Sequence, residues 1–419
     1  MSQIALPLDA CSDARPSLNE AVSPHLYAEP QGFEAEGFRI GWEHARYQVT
    51  PPADHLHAGH PVREGWEAGR AAFAGRTLVV TRAARLWLGL RLRAWLRGRA
   101  FEEVMVTPRF VAQIDVPTCP VLQLPLTHSA QGALAPTDAV VMPLYEGAGC
   151  AAGNLAVVSR RAEQARAALS GQEMDEIVRR LEAGEAEEVA GLDLSAWRRL
   201  ATLTSLATPP CAGASTVQAA LLPLHLLPPP RVRVLNPLQG VQALLTLVFT
   251  APGYARALTE LGALMPQAQA RRAYFLFMNA MLARRLSARG AVPREQVRAV
   301  MEQAWSHPLV QQRWTALART LKPAQAERLL RLAAQRSAGG PGVAWRWTEE
   351  AAATEGWALE AQGRAYTEVP APPVNSPAAA PGSGPARPRP LHPWASGAAP
   401  RGAAGRPAAP MRRPARGTA

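Results

Sequence analysis

Residues able to do chemistry concentrate in two stretches of this 419-residue chain. The first is Asp54-His55-Leu56-His57-Ala58-Gly59-His60, and imidazoles this close together can bind zinc. No second cluster of cysteine or histidine lies at ligand spacing, and no helix places two of these histidines on one face. The stretch therefore reads as a surface loop. The second runs Cys119-Pro-Val-Leu … Pro-Leu-Thr-His128 … Gly149-Cys-Ala-Ala-Gly153-Asn154-Leu-Ala-Val-Val-Ser159-Arg160-Arg161-Ala-Glu163-Gln-Ala-Arg166. Gly149 and Gly153 suit a tight turn at positive φ, and Asn154 is the residue type that pins such a turn through side-chain to backbone bonds. Arg160, Arg161 and Arg166 make either a solvated helix face or a set of phosphate grips. Cys119 lacks a partner, because Leu122 stands where a second cysteine of a zinc corner would fall. No Walker-type glycine loop, Gly-x-Ser-x-Gly elbow or dinucleotide fingerprint is present.

The second stretch resembles the phage-like branch of the HNH-type, ββα-metal endonuclease family. That branch runs Cys-Pro, then a hairpin bearing an Asp-Arg pair, then Gly-Tyr-x-x-Gly-Asn-Val-x-x-x-Ser-x-Arg-Ala-Asn. The likeness covers Cys119 to Leu169 and rests on the Gly-x-x-x-Gly-Asn-Leu turn and the Ser-x-Arg-Ala run together. It implies a hairpin and a helix holding one divalent metal against a scissile phosphate, with a base to activate water and arginines on the phosphates. Under that likeness His128 is the candidate base and Glu163 the candidate metal carboxylate. Arg85, Arg93, Arg160, Arg161 and Arg166 become the candidate nucleic-acid contacts.

The departures fall where the chemistry should sit. The Asp-Arg positions hold Met142 and Pro143, Cys150 replaces the aromatic after the glycine, and Glu163 replaces the helix asparagine. Methionine is no ligand for Mg²⁺, which wants oxygen, and proline carries no charge. Asp138 comes four residues too early. The resemblance thus implies a catalytically degenerate relative: no bound metal and no cofactor, with Mg²⁺ entering only if a remodelled site is active. His128 otherwise reads as a polar turn residue.

The elements that must position these groups follow from pattern. Within Thr81 to Arg99 the leucines alternate like a strand, yet the run's length and its Ala, Leu and Arg content favour a helix. On that helix Leu88, Leu92 and Trp95 share one side, and Arg82, Arg93 and Arg97 another. Strands are expected at Ala139–Leu144 and Asn154–Ser159, then a helix over Arg160–Leu169. Glu173–Val189 reads as an acidic helix, Asp193 as the N-cap of the next, and Pro237–Arg336 as four to six helices, with Pro252, Pro293 and Pro323 at first helical positions. The fold class is α+β, predominantly α: a small ββα unit followed by a helical domain. The expected divisions are an irregular segment 1–60, a basic segment plus the ββα unit at 61–170, the helical domain 171–338, a docking segment 339–369 around Trp345, Trp347 and Trp357, and a tail 370–419. The tail's prolines, glycines and scarce large apolar residues predict disorder.

The net charge is +12, and seven arginines with no acid lie in that tail, so the body is only mildly basic. Lys322 is the sole lysine; arginine suits phosphate, though a GC-rich genome yields the same excess. At 48% hydrophobic residues the chain can build a core. The longest nearly apolar stretch, Val241–Ala251, is short of the about 20 residues a bilayer needs, so no membrane partner is expected. Four scattered cysteines and an N-terminus with early acids make a cytoplasmic location the expectation. DNA is the partner implied by the resemblance. The competing reading is a helical protein-interaction protein whose acidic helix neutralises Arg160 and Arg166.

Overall fold

A computed structural model describes residues 31–129, 135–209, 222–287, 293–336, 346–347 and 363–364. All of them lie in one compact unit ending at Pro370, and the architecture is mostly helical. The tail from 370, with Trp345 and Trp357, lies outside the described residues.

The chain enters as α1 (Gln31–Arg46), α2 (Pro61–Phe73) and α3 (Arg82–Leu96). A helix at 31–46 corrects the irregular segment expected for the first sixty residues. Gly37 and Gly41 lower its intrinsic propensity, and tertiary contact explains why they are there. A Cβ on Gly41 would sit 1.9 Å from the Val62 carbonyl oxygen, and one on Gly65 would sit 1.8 Å from that of Phe38. The two backbones approach closer than any side chain allows, so glycine here is a packing choice. Phe33 of α1 stacks on Trp95 of α3 at 4.4 Å, and the Trp95 indole N–H donates to the Phe33 carbonyl at 2.9 Å.

A buried charge network ties α1 to α3. Arg91 is 5% exposed and donates to both oxygens of Glu43, at 2.6 and 2.7 Å, to Glu103 at 3.1 Å, and to buried Glu36. Its guanidinium lies 5.2 Å from the Trp87 ring centre and 5.5 Å from that of Phe101. Arg39 joins by pairing with Glu36 and Glu103.

After α3 come the short strand β1 (Phe101–Glu102) and α4 (Pro108–Ile114). Strands β2 (Ala139–Pro143) and β3 (Leu155–Ser159) pair antiparallel, Ala139 opposite Ser159 and Pro143 opposite Leu155, and α5 (Arg160–Arg166) follows directly. Ser159 ends the strand and caps the helix, its Oγ accepting from the Ala162 amide. Next is α6 (Gly171–Glu182), opened by a capping box of Ser170 and Glu173. It is shorter than the acidic helix expected to reach Val189. Gly184 at φ +74° follows its end, and Glu188–Val189 (β4) turns through Ala190 and Gly191, both at positive φ, to pair with Leu192–Asp193 (β5). Asp193 then caps α7 (Leu194–Ala207), accepting from Ala196 at 2.7 Å.

Strand β6 (Arg233–Val234) precedes six helices: α8 (Pro237–Thr250), α9 (Tyr254–Ala263), α10 (Ala268–Ser287), α11 (Arg294–Ala304), α12 (Pro308–Ala318) and α13 (Pro323–Arg336). Pro323 opens α13 as expected, whereas Pro293 sits at the N-cap of α11 and Pro252 precedes the Gly253 cap of α9. Trp305, Trp314 and Phe277 pack edge to face or tilted, with ring centres 5.4 to 5.6 Å apart. Trp347, in β7 (Arg346–Trp347), pairs by backbone with Val234, and β8 (Gly363–Arg364) pairs with β1. One apolar core runs from Ala83 to Ala333. Among the described residues no helix is long and apolar enough to cross a membrane.

Removing the guanidinium of Arg91 would leave Glu43 without its bonded cation and Glu36 with Arg39 as its paired cation. Arg91→Ala is expected to destabilise the protein by about 3–5 kcal/mol, read from urea unfolding at pH 7. A second test uses pH. His44 is buried, and its imidazole is held at about 4, first by burial, with His55 and Arg91 adding to the depression against a bond to the Ile40 carbonyl. The unfolded chain takes up this proton near 6.5, so stability is lost as pH falls from about 6.5 to about 4, by about 3 kcal/mol from this residue. Unfolding free energies at pH 7 and pH 4.5 should show that loss, and His44→Gln should flatten it.

Candidate nucleic-acid interface

The turn between β2 and β3 is built around Asn154, which is fully buried. Its side-chain oxygen accepts from the Tyr145 amide at 2.8 Å, and its Nδ2 donates to the carbonyls of Tyr145 at 2.7 Å and Gly149 at 2.8 Å. Gly149 lies at φ +56° and Gly153 at +98°, and a Cβ on either would press on Ala100 or Arg233. Strand β1 locks the turn from outside: the Glu102 amide donates to the Cys150 carbonyl, and a Glu102 carboxylate oxygen accepts from Ala152 at 2.7 Å. Burial pushes the Cys150 thiol up to about 12 despite Arg99 and Arg93, so it stays protonated.

Arg166 belongs to this scaffold and not to an exposed surface. It is 3% exposed, donates to the Leu144 carbonyl at 3.0 Å and pairs with Glu146. Burial corrects its placement among nucleic-acid contacts: the turn's carbonyl and acid occupy its two terminal nitrogens, and its buried Nε has no hydrogen-bond partner among the described residues. Nor does the acidic helix neutralise it, since Glu185 pairs with Arg180.

Helix α3 lies against β2, and its polar face looks out beside the hairpin. At about 100° per residue Arg82, Arg85, Arg93 and Arg97 fall within an arc of about 120°. Arg82, Arg85 and Arg93, with Leu86, His128, Ser129, Asp138 and Ala139, line a cleft of about 360 Å³. Arg93 is anchored by a 3.1 Å bond to the Val141 carbonyl. Burial depresses its pKa, with Glu163 opposing and Arg97 and Arg160 adding to the depression, yet a guanidinium stays charged. Arg82 is held by Asp115 at 2.8 Å, and Arg85 is exposed. Arg160 is half-buried, and its amide donates to the Asp138 carbonyl at 2.8 Å. Arg161 is exposed and rests its guanidinium over Gly191.

His128 lies exposed on the cleft rim; partial burial and then Arg82 lower its pKa, against Asp115 and Asp138. Glu163 is absent from that lining and pairs instead with Arg97 at 3.1 Å, so the two do not line one pocket. Asp138 uses its carboxylate to hold a loop, accepting from Thr127 at 2.7 Å, Ser129 at 3.1 Å and Ala135 at 2.7 Å. Burial opposes its ionisation, but those bonds win and hold the carboxyl below its ordinary value.

The residues present do not fit a catalytic metal. Met142 is 1% exposed, its side chain in the core, and Pro143 is buried opposite Leu155. Among the described residues no three His, Cys, Asp or Glu side chains are placed to hold an ion. At the histidine-rich loop, His55 and His57 pack against His60 with ring centres 5.1 and 4.8 Å away, and His60 caps α2 by accepting from Val62. No family model, curated protein or solved structure matches the chain.

Sequence reasoning put Arg82 and Arg97 on one helix face but left them, and Asp138, out of the site. The helical spacing of the arginines was the available signal; the position of Asp138 on the cleft wall had none.

Asn154→Ala should strand the Tyr145 amide and the buried Gly149 carbonyl, and leave the Tyr145 carbonyl only its long bond from the Ala148 amide. An expected loss of at least about 2 kcal/mol in urea unfolding, with faster deuterium exchange at Tyr145, checks it.

Proposed function

We propose that this protein binds nucleic acid as a metal-free, catalytically degenerate relative of HNH-type endonucleases. The observation that carries the reading is the arginine face of α3, packed beside a hairpin whose second strand runs straight into a short helix. Support comes from the order strand, Asn-pinned turn, strand, helix, which is the order the family resemblance implies. Met142 and Pro143 explain the loss of metal chemistry in the same reading, because neither offers oxygen to a hard cation. The arginines supply phosphate contacts that read backbone and not base, so sequence preference is not part of the proposal.

A second reading, a helical protein-interaction protein, draws on Phe275 and Leu276 of α10, each 41% exposed, with Leu286 at 63%. A single titration separates the two. A fluorescent single-stranded DNA oligonucleotide should bind the full chain at about 50 mM salt. With about four phosphate contacts, log K should fall against log salt with a slope near −3, the single-strand value being about −0.7 per contact. Arg85→Ala and Arg160→Ala should each weaken binding and flatten that slope by a fraction of a unit. With Mg²⁺ or Mn²⁺ added, plasmid DNA should remain unnicked. Absence of binding at about 50 mM salt overturns the proposal and favours the second reading.

A further inference from the structure

Glu163 occupies an unusual place for an acid. It sits in α5, 13% exposed, with Arg97 at 3.1 Å on one side. Arg93 feels its charge, and feels Arg97 and Arg160 as well. Arg97 bonds the carboxylate, Arg160 lies three residues before it on α5, and Arg93 is within electrostatic reach of it. Like charges held this close repel, and the acid relieves part of that repulsion. Arg97 keeps about half of its side chain in solvent, so its guanidinium can be approached from outside. Arg93 reaches the cleft as well, which makes the Glu163 neighbourhood continuous with the Arg82 and Arg85 rim.

A carboxylate on arginine uses the same donors that a phosphodiester oxygen would use. We infer that Glu163 is an internal stand-in for phosphate: a displaceable counter-ion that holds the site shut to weak anions and yields Arg97, Arg93 and Arg160 to a nucleic-acid backbone. Glu163 is then neither a metal ligand nor a catalytic group. It sets the affinity threshold. A single phosphate must compete with a tethered carboxylate and bring no other contact, whereas a strand that also engages Arg85 adds enough contacts to displace it. This inference rests on the nucleic-acid reading above and gives that site a built-in brake.

The geometry around the pair supports exchange without unfolding. The Glu163 carboxylate accepts from Arg97 and from no core group among the described residues, and α5 is capped by Ser159, not by Glu163. Arg97 lies just past the end of α3, where its side chain can swing while the backbone stays. Arg93 stays anchored to the Val141 carbonyl throughout, so the site keeps one fixed donor and one mobile one.

The test compares the full-length protein with Glu163→Gln and Glu163→Asp, using a fluorescent single-stranded oligonucleotide at several salt concentrations. Thermal melts of each variant establish that the fold is intact. Glu163→Gln should bind about 5- to 10-fold tighter, with a salt slope steeper by about 0.7, one more phosphate contact on a single strand. Glu163→Asp, which keeps the charge, should bind like the unmodified chain. If the unmodified chain binds but Glu163→Gln binds equally or more weakly, the brake is overturned and the nucleic-acid reading stands. If neither binds at about 50 mM salt, both fall together. If Glu163→Gln melts far lower, Arg97→Ala serves in its place: it should weaken binding several-fold, and unchanged binding overturns the inference.

Discussion

A guanidinium buried among carboxylates is the constraint on which this structure turns. Arg91 sits at the middle of α3 with Glu36 and Glu43 of α1 and Glu103 after β1 as its partners. Desolvating that many charges is expensive, and only good geometry with every donor used offsets it. Burial, with the Glu36 charge adding to it, pushes Glu43 up against the attraction of Arg91 and Arg39, while Glu36 is pulled below its ordinary value because its arginine partners outweigh the same burial effect. The network therefore tolerates one arrangement of α1, α3 and the β1 segment and penalises others. Once α3 is fixed in rotation by Arg91, its other arginines have no freedom of direction.

That fixed rotation connects packing to the surface. Leu88, Leu92 and Trp95 go inward, and Arg82, Arg85 and Arg97 are left outside, with Arg93 lying half-buried along β2. The strand contributes Val141 as an anchor for Arg93, and the β1 segment contributes Glu102 to the turn. Helix, strand and turn are thus joined by polar groups whose partners are all internal. The arginines facing the cleft are those for which the interior has only partial use.

Much of this was legible in one dimension. The start of α7 was, because Asp193 puts an oxygen where orphan amides need it; Thr81, Ser159 and Ser170 cap their helices in the same way. The hairpin and the Asn154 turn were, since Gly149, Gly153 and Asn154 are residue types whose local conformations few others share. Helix α1 was not: its glycines argue against a helix until the Val62 and Phe38 carbonyls opposite them are known. Arg166 looked like Arg160 and Arg161 on paper. Only the position of the Leu144 carbonyl and Glu146, remote in sequence, draws it inside.

The sequence by itself determined local geometry and the absence of oxygen ligands at Met142 and Pro143, because caps, turns and ligand chemistry depend on residue type and near neighbours. Tertiary structure alone decided which arginines are spent on the fold and which face solvent, and that Glu163 meets Arg97 and not His128. Charge pairing acts over a few ångströms in space, and no spacing along the chain encodes which distant carboxylate or carbonyl will arrive within that reach.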